Sequence, residues 1–243
     1  MINSVFNWSG GKDSALALYH ILQEQQFKVS QLMTTVNSKH DRISMHGVRR
    51  ELLQAQSNAI GIPVHEILLP EMPSMSEYDQ IMKSTMQKLK NAEITHSIFG
   101  DIFLEDLKKY REGRLAEIGL KGHFPLWKRN TTELIHEFLD LGFKTIVVCA
   151  KAPLLSEDFV GRIIDHDFIK ELPKDVDPCG ENGEFHTFVF DGPIFNKAIN
   201  FELGEKVFRT YDAPKDSNDN CFAEKEETPD KVGFHYIDLI SKS

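Results

Sequence analysis

The string Ser9-Gly10-Gly11-Lys12-Asp13-Ser14, directly behind the apolar run Val5-Phe6-Asn7-Trp8, limits what this chain can fold into more than any other feature. A glycine pair between an extended apolar segment and an amphipathic stretch reads as strand, tight turn and helix start. Such a turn is an anion site. The first N–H groups of a helix have no intrahelical partner, and the helix dipole favours negative charge there. Gly10 and Gly11 allow close backbone approach. Ser9 and Ser14 offer hydroxyls to phosphate oxygens, Lys12 offsets their charge, and Asp13 is placed to hold Mg²⁺ directly or through water. Other phosphate loops fit badly. A Walker A loop needs glycine where Phe6 stands and Ser or Thr where Asp13 stands, and the GxGxxG dinucleotide fingerprint is absent.

Behind this loop, short apolar runs alternate with amphipathic stretches, the pattern of a parallel sheet with helices on its faces. The spacing predicts strands at Val5–Trp8, Val29–Val36, Val64–Leu69, His96–Gly100 and Thr145–Ala150. It predicts helices over Ser14–Gln25, Val48–Ala59, Glu77–Leu89, Leu104–Ile118 and Thr131–Leu141, with Gly142 as a C-terminal stop. From about Ala150 the texture changes to a helix near Phe159–Leu172, a turn-rich segment over 173–180, and alternating segments at Phe185–Phe190, Lys206–Tyr211 and Gly233–Ile240. Residues 212–231 are polar and read as a mobile loop. The expected fold is α/β: a doubly wound parallel sheet with a smaller mixed α+β C-terminal part. The expected division is residues 1–150 for the phosphate-loop domain and 151–243 for a smaller substrate-side region.

Net charge is −9, which argues against nucleic acid as the main partner; Lys121, His123, Lys128 and Arg129 form only a local basic patch, read as a solvated face. The three cysteines, Cys149, Cys179 and Cys221, are far apart and contain no CxxC pair, so neither a zinc knuckle nor a disulfide framework is suggested. The N-terminus lacks the basic and apolar regions of a signal peptide, and no run approaches a membrane span. The chain reads as cytoplasmic.

A second cluster of chemistry lies at Cys179-Gly180-Glu181-Asn182-Gly183-Glu184-Phe185-His186-Thr187-Phe188-Val189, continuing to Asp191-Gly192-Pro193. Two glutamates and a histidine in a glycine-punctuated turn offer metal ligation, general base work or amine binding; by composition alone a polar hairpin turn is the commoner reading. The first string matches the PP-loop of the adenine-nucleotide α-hydrolase superfamily. The two together resemble the diphthine–ammonia ligase family. Ser44-Met45-His46-Gly47-Val48, Phe99-Gly100-Asp101-Ile102 and Pro125-Leu126-Trp127-Lys128-Arg129 look like the same family, and the resemblance spans about residues 1–195. The chain departs from commoner family patterns at Asn182, Phe185 and His186.

The resemblance implies ATP, cleaved to AMP and pyrophosphate, with Mg²⁺ at Asp13. A carboxylate is adenylated and ammonia displaces AMP, as in the conversion of diphthine to diphthamide on a translation elongation factor. Carried over by position, Ser9, Gly10, Gly11, Lys12, Asp13 and Ser14 bind the phosphates. Lys12, Asp13, Glu181 and Glu184 are the catalytic candidates, the two glutamates at the acceptor or ammonia end. His46 and Asp101, and more weakly Trp127, line the cleft; Asp101 follows a strand where open α/β sheets bind ligands. Clefts of this kind often support homodimers. Two other readings remain at this point: a PP-loop enzyme that modifies tRNA, and a sensor that holds ATP without turnover.

Overall fold

The structure, a computed structural model, describes residues 1–43, 46–71, 73–212 and 231–242. Ten strands and six helices follow one another along the described chain. The first sheet holds β1 (Ile2–Asn7), β2 (Phe27–Asn37), β3 (Arg42–Ile43), β4 (Val64–Leu69), β5 (His96–Ile98) and β6 (Lys121–His123). Its parallel strands lie in the order β4-β2-β1-β5-β6, and the two-residue β3 pairs antiparallel with the end of β2. Chain order reverses across β1: the chain builds outward through β2 and β4 on one side, then returns to the other side of β1 for β5 and β6. That is the doubly wound arrangement, with a crevice at the carboxyl ends of β1 and β5.

Alternation along the strands covers both faces. Phe6, Leu32, Val36 and Ile98 belong to one core cluster with α1 (Lys12–Glu24) and α2 (Arg50–Ile60). Val5, Met33, Ile67 and Leu69 point the other way, into a second cluster with Met86 and Leu89 of α3 (Met75–Asn91) and Leu115 of α4 (Glu105–Ala116). Successive strand side chains face opposite sides, so each inner strand contributes to both layers. Local chemistry sets the ends. Ser74 and Glu77 form a reciprocal capping box on α3. Asn130 accepts from Glu133 N–H at 3.0 Å to start α5 (Thr131–Asp140). Gly142, at φ +81°, follows that helix.

The second sheet is antiparallel, in the order β8 (Phe185–Asp191), β7 (Lys144–Ala152), β10 (Lys231–Ser241), β9 (Phe201–Asp212). Its inner residues, among them Val147, Phe185, Phe188, Ile237 and Leu239, join the same cluster as α1, α2 and α5. Helix α1 is thus enclosed between the two sheets. The β8 edge is closed by the phosphate loop, Val189 N–H donating to Gly10 O at 2.9 Å, whereas among the described residues no strand pairs with the outer edge of β9, where Leu203, Phe208 and Tyr211 are about half exposed.

Three expectations change. The Thr145–Ala150 run is not the last parallel strand but the centre of β7 in the second sheet. It is buried along its length because both faces are covered there too, and burial of that kind does not distinguish the two sheet types. The break between the sheets therefore falls ahead of Lys144, not at residue 150. The helix expected over Phe159–Leu172 is a 3-10 turn at Glu157–Phe159 and a short α6 (His166–Glu171). Gly161, at φ +86°, breaks it, and Asp165 caps the second piece. The polar loop expected over 212–231 lies, for residues 213–230, outside the described residues. Among the described residues no helix is long and apolar enough to cross a membrane.

Candidate functional site

Strand β1 delivers Ser9 to the carboxyl edge of the sheet, and the chain turns through Gly10, at φ +82°, into α1 with Gly11 as its N-cap. A left-handed φ of that size suits glycine at Gly10. From the neighbouring strand, the Gly100 backbone presses on the helix start; a Cβ there would sit 3.0 Å from Ser14 N. The loop hydroxyls converge: Ser9 Oγ donates to Ser14 Oγ at 3.1 Å, Gly11 N–H points to Ser9 Oγ at 3.3 Å, and Ser14 Oγ donates to Gly11 O at 2.9 Å. The expected phosphate-binding residues are therefore contiguous in space and lie at the switch point of the sheet.

The second motif reaches them from the other sheet. Lys12, only 4% exposed, directs its ammonium to both Asp13 carboxylate oxygens at 2.8 and 2.9 Å and to the Cys179 carbonyl. Burial works against the Lys12 charge, but the carboxylates of Asp13 and Glu181 outweigh it and hold the amine protonated beyond its usual range. The Lys12 N–H donates to Thr187 Oγ1 at 3.0 Å. Asp177 orders the turn, accepting from Thr131 Oγ1 at 2.7 Å and from Cys179 N–H at 2.8 Å.

Glu181 and Glu184 part company here. Glu184 is 2% exposed, and its carboxylate accepts from Asp177 N–H at 3.0 Å, Asn182 N–H at 2.8 Å and Asn182 Nδ2 at 3.0 Å. Burial alone would raise its pKa, but those donors bring it below the ordinary value. Glu181 has no such cradle; burial, with Asp13 nearby, pushes its carboxyl up to about 7. Two acidic side chains three positions apart thus sit in opposite electrostatic situations.

His46 packs against His186 with ring centroids 4.7 Å apart and planes tilted by 40°, and a Cβ on Gly11 would lie 3.3 Å from its Cε1. Burial, and then the proximity of His186, lowers His46 to about 3; burial and Lys12 lower His186 to about 4, so both rings are neutral near pH 7. His46 Nδ1 is buried without a hydrogen-bond partner among the described residues. Its motif neighbours Ser44 and Met45 lie outside those residues. Asp101 follows β5 at the expected edge, but its carboxylate is engaged by Arg111 of α4. Trp127 packs away from the loop against α4, with the Lys108 ammonium 4.3 Å above its ring.

Gln56 and Thr187 escaped the sequence reading. Thr187 stands inside the quoted motif as an ordinary strand residue, whereas Gln56 had a signal: a polar residue on the buried stripe of α2, beside Leu52, Leu53 and Ala59.

Among the described residues no three His, Cys, Asp or Glu side chains converge as a metal cage. Mg²⁺ commonly needs only one or two carboxylates alongside substrate phosphates. Asp13 meets that requirement as a single carboxylate only once the Lys12 ammonium, which holds both its oxygens, turns away.

Fold and loop define a doubly wound α/β protein with a glycine-pair loop at its switch point, closed over by a second, antiparallel sheet. Family models place it further. Residues 2–122 match the diphthamide synthase N-terminal domain and residues 130–214 the diphthamide synthase C-terminal domain. The chain belongs to the diphthamide synthase family. It is similar to the diphthine–ammonia ligase of Homo sapiens, 24% identical over 229 residues, covering 84% of this chain and 85% of that protein. The Bos taurus ligase is 30% identical over 134 residues, 53% of this chain and 50% of that protein. The Schizosaccharomyces pombe ligase, 23% identical over 210 residues, is longer: the match covers 79% of this chain and 34% of that one. Among solved structures, a predicted subunit of a tRNA methyltransferase from Methanocaldococcus jannaschii aligns with a TM-score of 0.39 at 16% identity, over 64% of this chain and 81% of that one. The U34-tRNA thiolase NcsA of Methanococcus maripaludis aligns with a TM-score of 0.35 at 19% identity, over 58% and 57%.

Proposed function

We propose that this protein is an ATP-dependent amide ligase that adenylates a carboxylate and displaces AMP with ammonia, the diphthine-to-diphthamide type of reaction. The observation that carries the reading is the contact between the two motifs: Lys12 of the loop donates to the carbonyl of Cys179, so residues 167 positions apart form one site. The curated relatives that cover most of their own length are diphthine–ammonia ligases, which supports the same chemistry.

In this reading the loop N–H groups, Ser9, Ser14 and Lys12 hold the β and γ phosphates and stabilise charge as it develops on the leaving pyrophosphate. Asp13, released by Lys12, would hold Mg²⁺, which would supply further neutralisation of that charge. The acceptor carboxylate attacks the α phosphorus, forming an acyl–adenylate. Ammonia nitrogen then bonds to the acyl carbon, the bond to AMP breaks with its electron pair leaving on AMP, and Glu181 takes the proton released from nitrogen. Glu184 shapes the turn that carries Glu181. The protein acceptor is a carboxylate-bearing modified histidine on a translation elongation factor.

Product analysis with α-labelled ATP, Mg²⁺, ammonium and acceptor protein tests the reading. AMP and pyrophosphate are expected, with loss of both in Asp13→Ala. Appearance of ADP and phosphate as products would overturn it.

A further inference from the structure

Gln56 takes no part in the chemistry above, yet its side chain is completely buried against the phosphate loop, at 0% exposure. The Trp8 indole N–H, a donor only, gives its hydrogen to Gln56 Oε1 at 2.9 Å. That contact decides which way the amide faces. Nε2 is left to donate to Gly10 O at 3.0 Å and to Val189 O at 2.7 Å. The same Gly10 carbonyl takes a second hydrogen from Val189 N–H at 2.9 Å. Two donors on one side hold this oxygen toward α2 and β8.

In a planar trans peptide the next N–H points opposite to the C=O. The Gly11 N–H is therefore turned the other way, toward Ser9 Oγ at 3.3 Å, where the Ser9 and Ser14 hydroxyls meet. Glycine and glutamine are matched here: a Cβ on Gly10 would lie 2.8 Å from Gln56 Oε1. Val189 belongs to the second sheet and both donates to Gly10 and accepts from Gln56, so the loop takes this orientation only with β8 docked.

We infer that Gln56 is a positioning residue: its amide, wedged between Trp8, Gly10 and Val189, aims the Gly11 N–H at the pyrophosphate end of the nucleotide. The inference rests on the phosphate-loop reading above and names a residue outside both motifs.

The test uses the full chain, labelled with ¹⁵N-glycine and titrated with inorganic pyrophosphate, comparing wild type with Gln56→Glu and Gln56→Met. The first variant is nearly isosteric and exchanges two donated hydrogens for lone pairs; the second removes all three bonds without adding charge. In wild type the Gly11 amide resonance moves on saturation. In either variant that folds, pyrophosphate affinity is expected to fall about 10- to 100-fold, the scale of one hydrogen bond to a charged group, and the Gly11 shift is lost. A merely structural role would lower melting temperature but leave affinity and the Gly11 shift unchanged per folded molecule, which would overturn the inference. So would a wild type whose other loop glycines move on saturation while Gly11 stays still, a result that needs no variant to fold. If wild type binds no pyrophosphate at all, the phosphate-loop reading itself falls, and this inference with it.

Discussion

Glu181 and Glu184 belong to the same six-residue turn, and the sequence treats them alike; the fold gives them different work. Glu184 is buried with its oxygens filled by three donors. Glu184→Ala strands those donors and is expected to cost about 2–4 kcal/mol, because hydrogen bonds to charged groups exceed neutral ones and unpaired buried groups add their own penalty. Urea denaturation reads this as a lower midpoint; an unchanged midpoint would remove the scaffold role. Glu181→Gln is expected to leave stability at neutral pH equal or higher while abolishing amide formation. The sign follows from a folded pKa of about 7 against an ordinary unfolded value near 4.3. Between these values the folded state holds the extra proton, so wild-type stability falls as pH rises through that window. Melting temperatures from pH 4 to 8 check it: the decline should flatten in Glu181→Gln, and equal slopes would refute the assignment. Cys149 and Cys179 are buried thiols, and burial pushes Cys149 up to about 12 and Cys179 also well above its usual range. Neither is expected to react with a thiol reagent in the folded protein at pH 8, which disfavours sulfur transfer through these two residues.

At the scale of elements, one carboxylate adds an ionic tie between the second sheet and the first. Asp238 on β10 accepts from Arg42 at 2.8 Å and, through both oxygens, from Arg49 at 2.7 to 3.2 Å. Those arginines flank the segment that carries His46. Burial would raise the Asp238 pKa, but the two guanidiniums bring it down to about 2, so its contribution is present above pH 4 and lost as pH falls toward 2. Asp238→Asn is expected to cost about 1–3 kcal/mol at pH 7, read as a shift in urea midpoint with unchanged slope. Periodicity located most elements here, because strand alternation and the apolar helix stripes are local properties. What it missed was nonlocal. The β7 run looks the same whether its neighbours are parallel or antiparallel. The pairs β3 and β6 are too short for any period to show. Gln56 lay on the α2 stripe, but only the fold reveals that Trp8, Gly10 and Val189 surround it.

Across the whole molecule, α1 is covered by both sheets, so neither half closes the shared core without the other. Leu16, Leu18, Leu52 and Leu53 share one continuous cluster with Val147, Phe185 and Leu239. A fragment of residues 1–129 is expected to lack a cooperative melting transition and to bind a hydrophobic dye, since removing the second sheet exposes that layer. A sharp transition in the fragment would show that the halves fold independently. The loop motif was legible because its chemistry is consecutive in sequence; the dependence of that loop on a strand 179 positions later, Val189 against Gly10 and Gln56, was not. The same closure leaves a consequence at the far side of the molecule. With β8 sealed by the loop, β9 is, among the described residues, the outer rim of the second sheet, and it carries half-exposed Leu203, Phe208 and Tyr211. Glu202, Glu205, Lys206 and Arg209, set among them along the strand, act as its guards against stacking into fibres. A concentrated sample is therefore expected to self-associate first along this rim rather than at the crevice between the sheets.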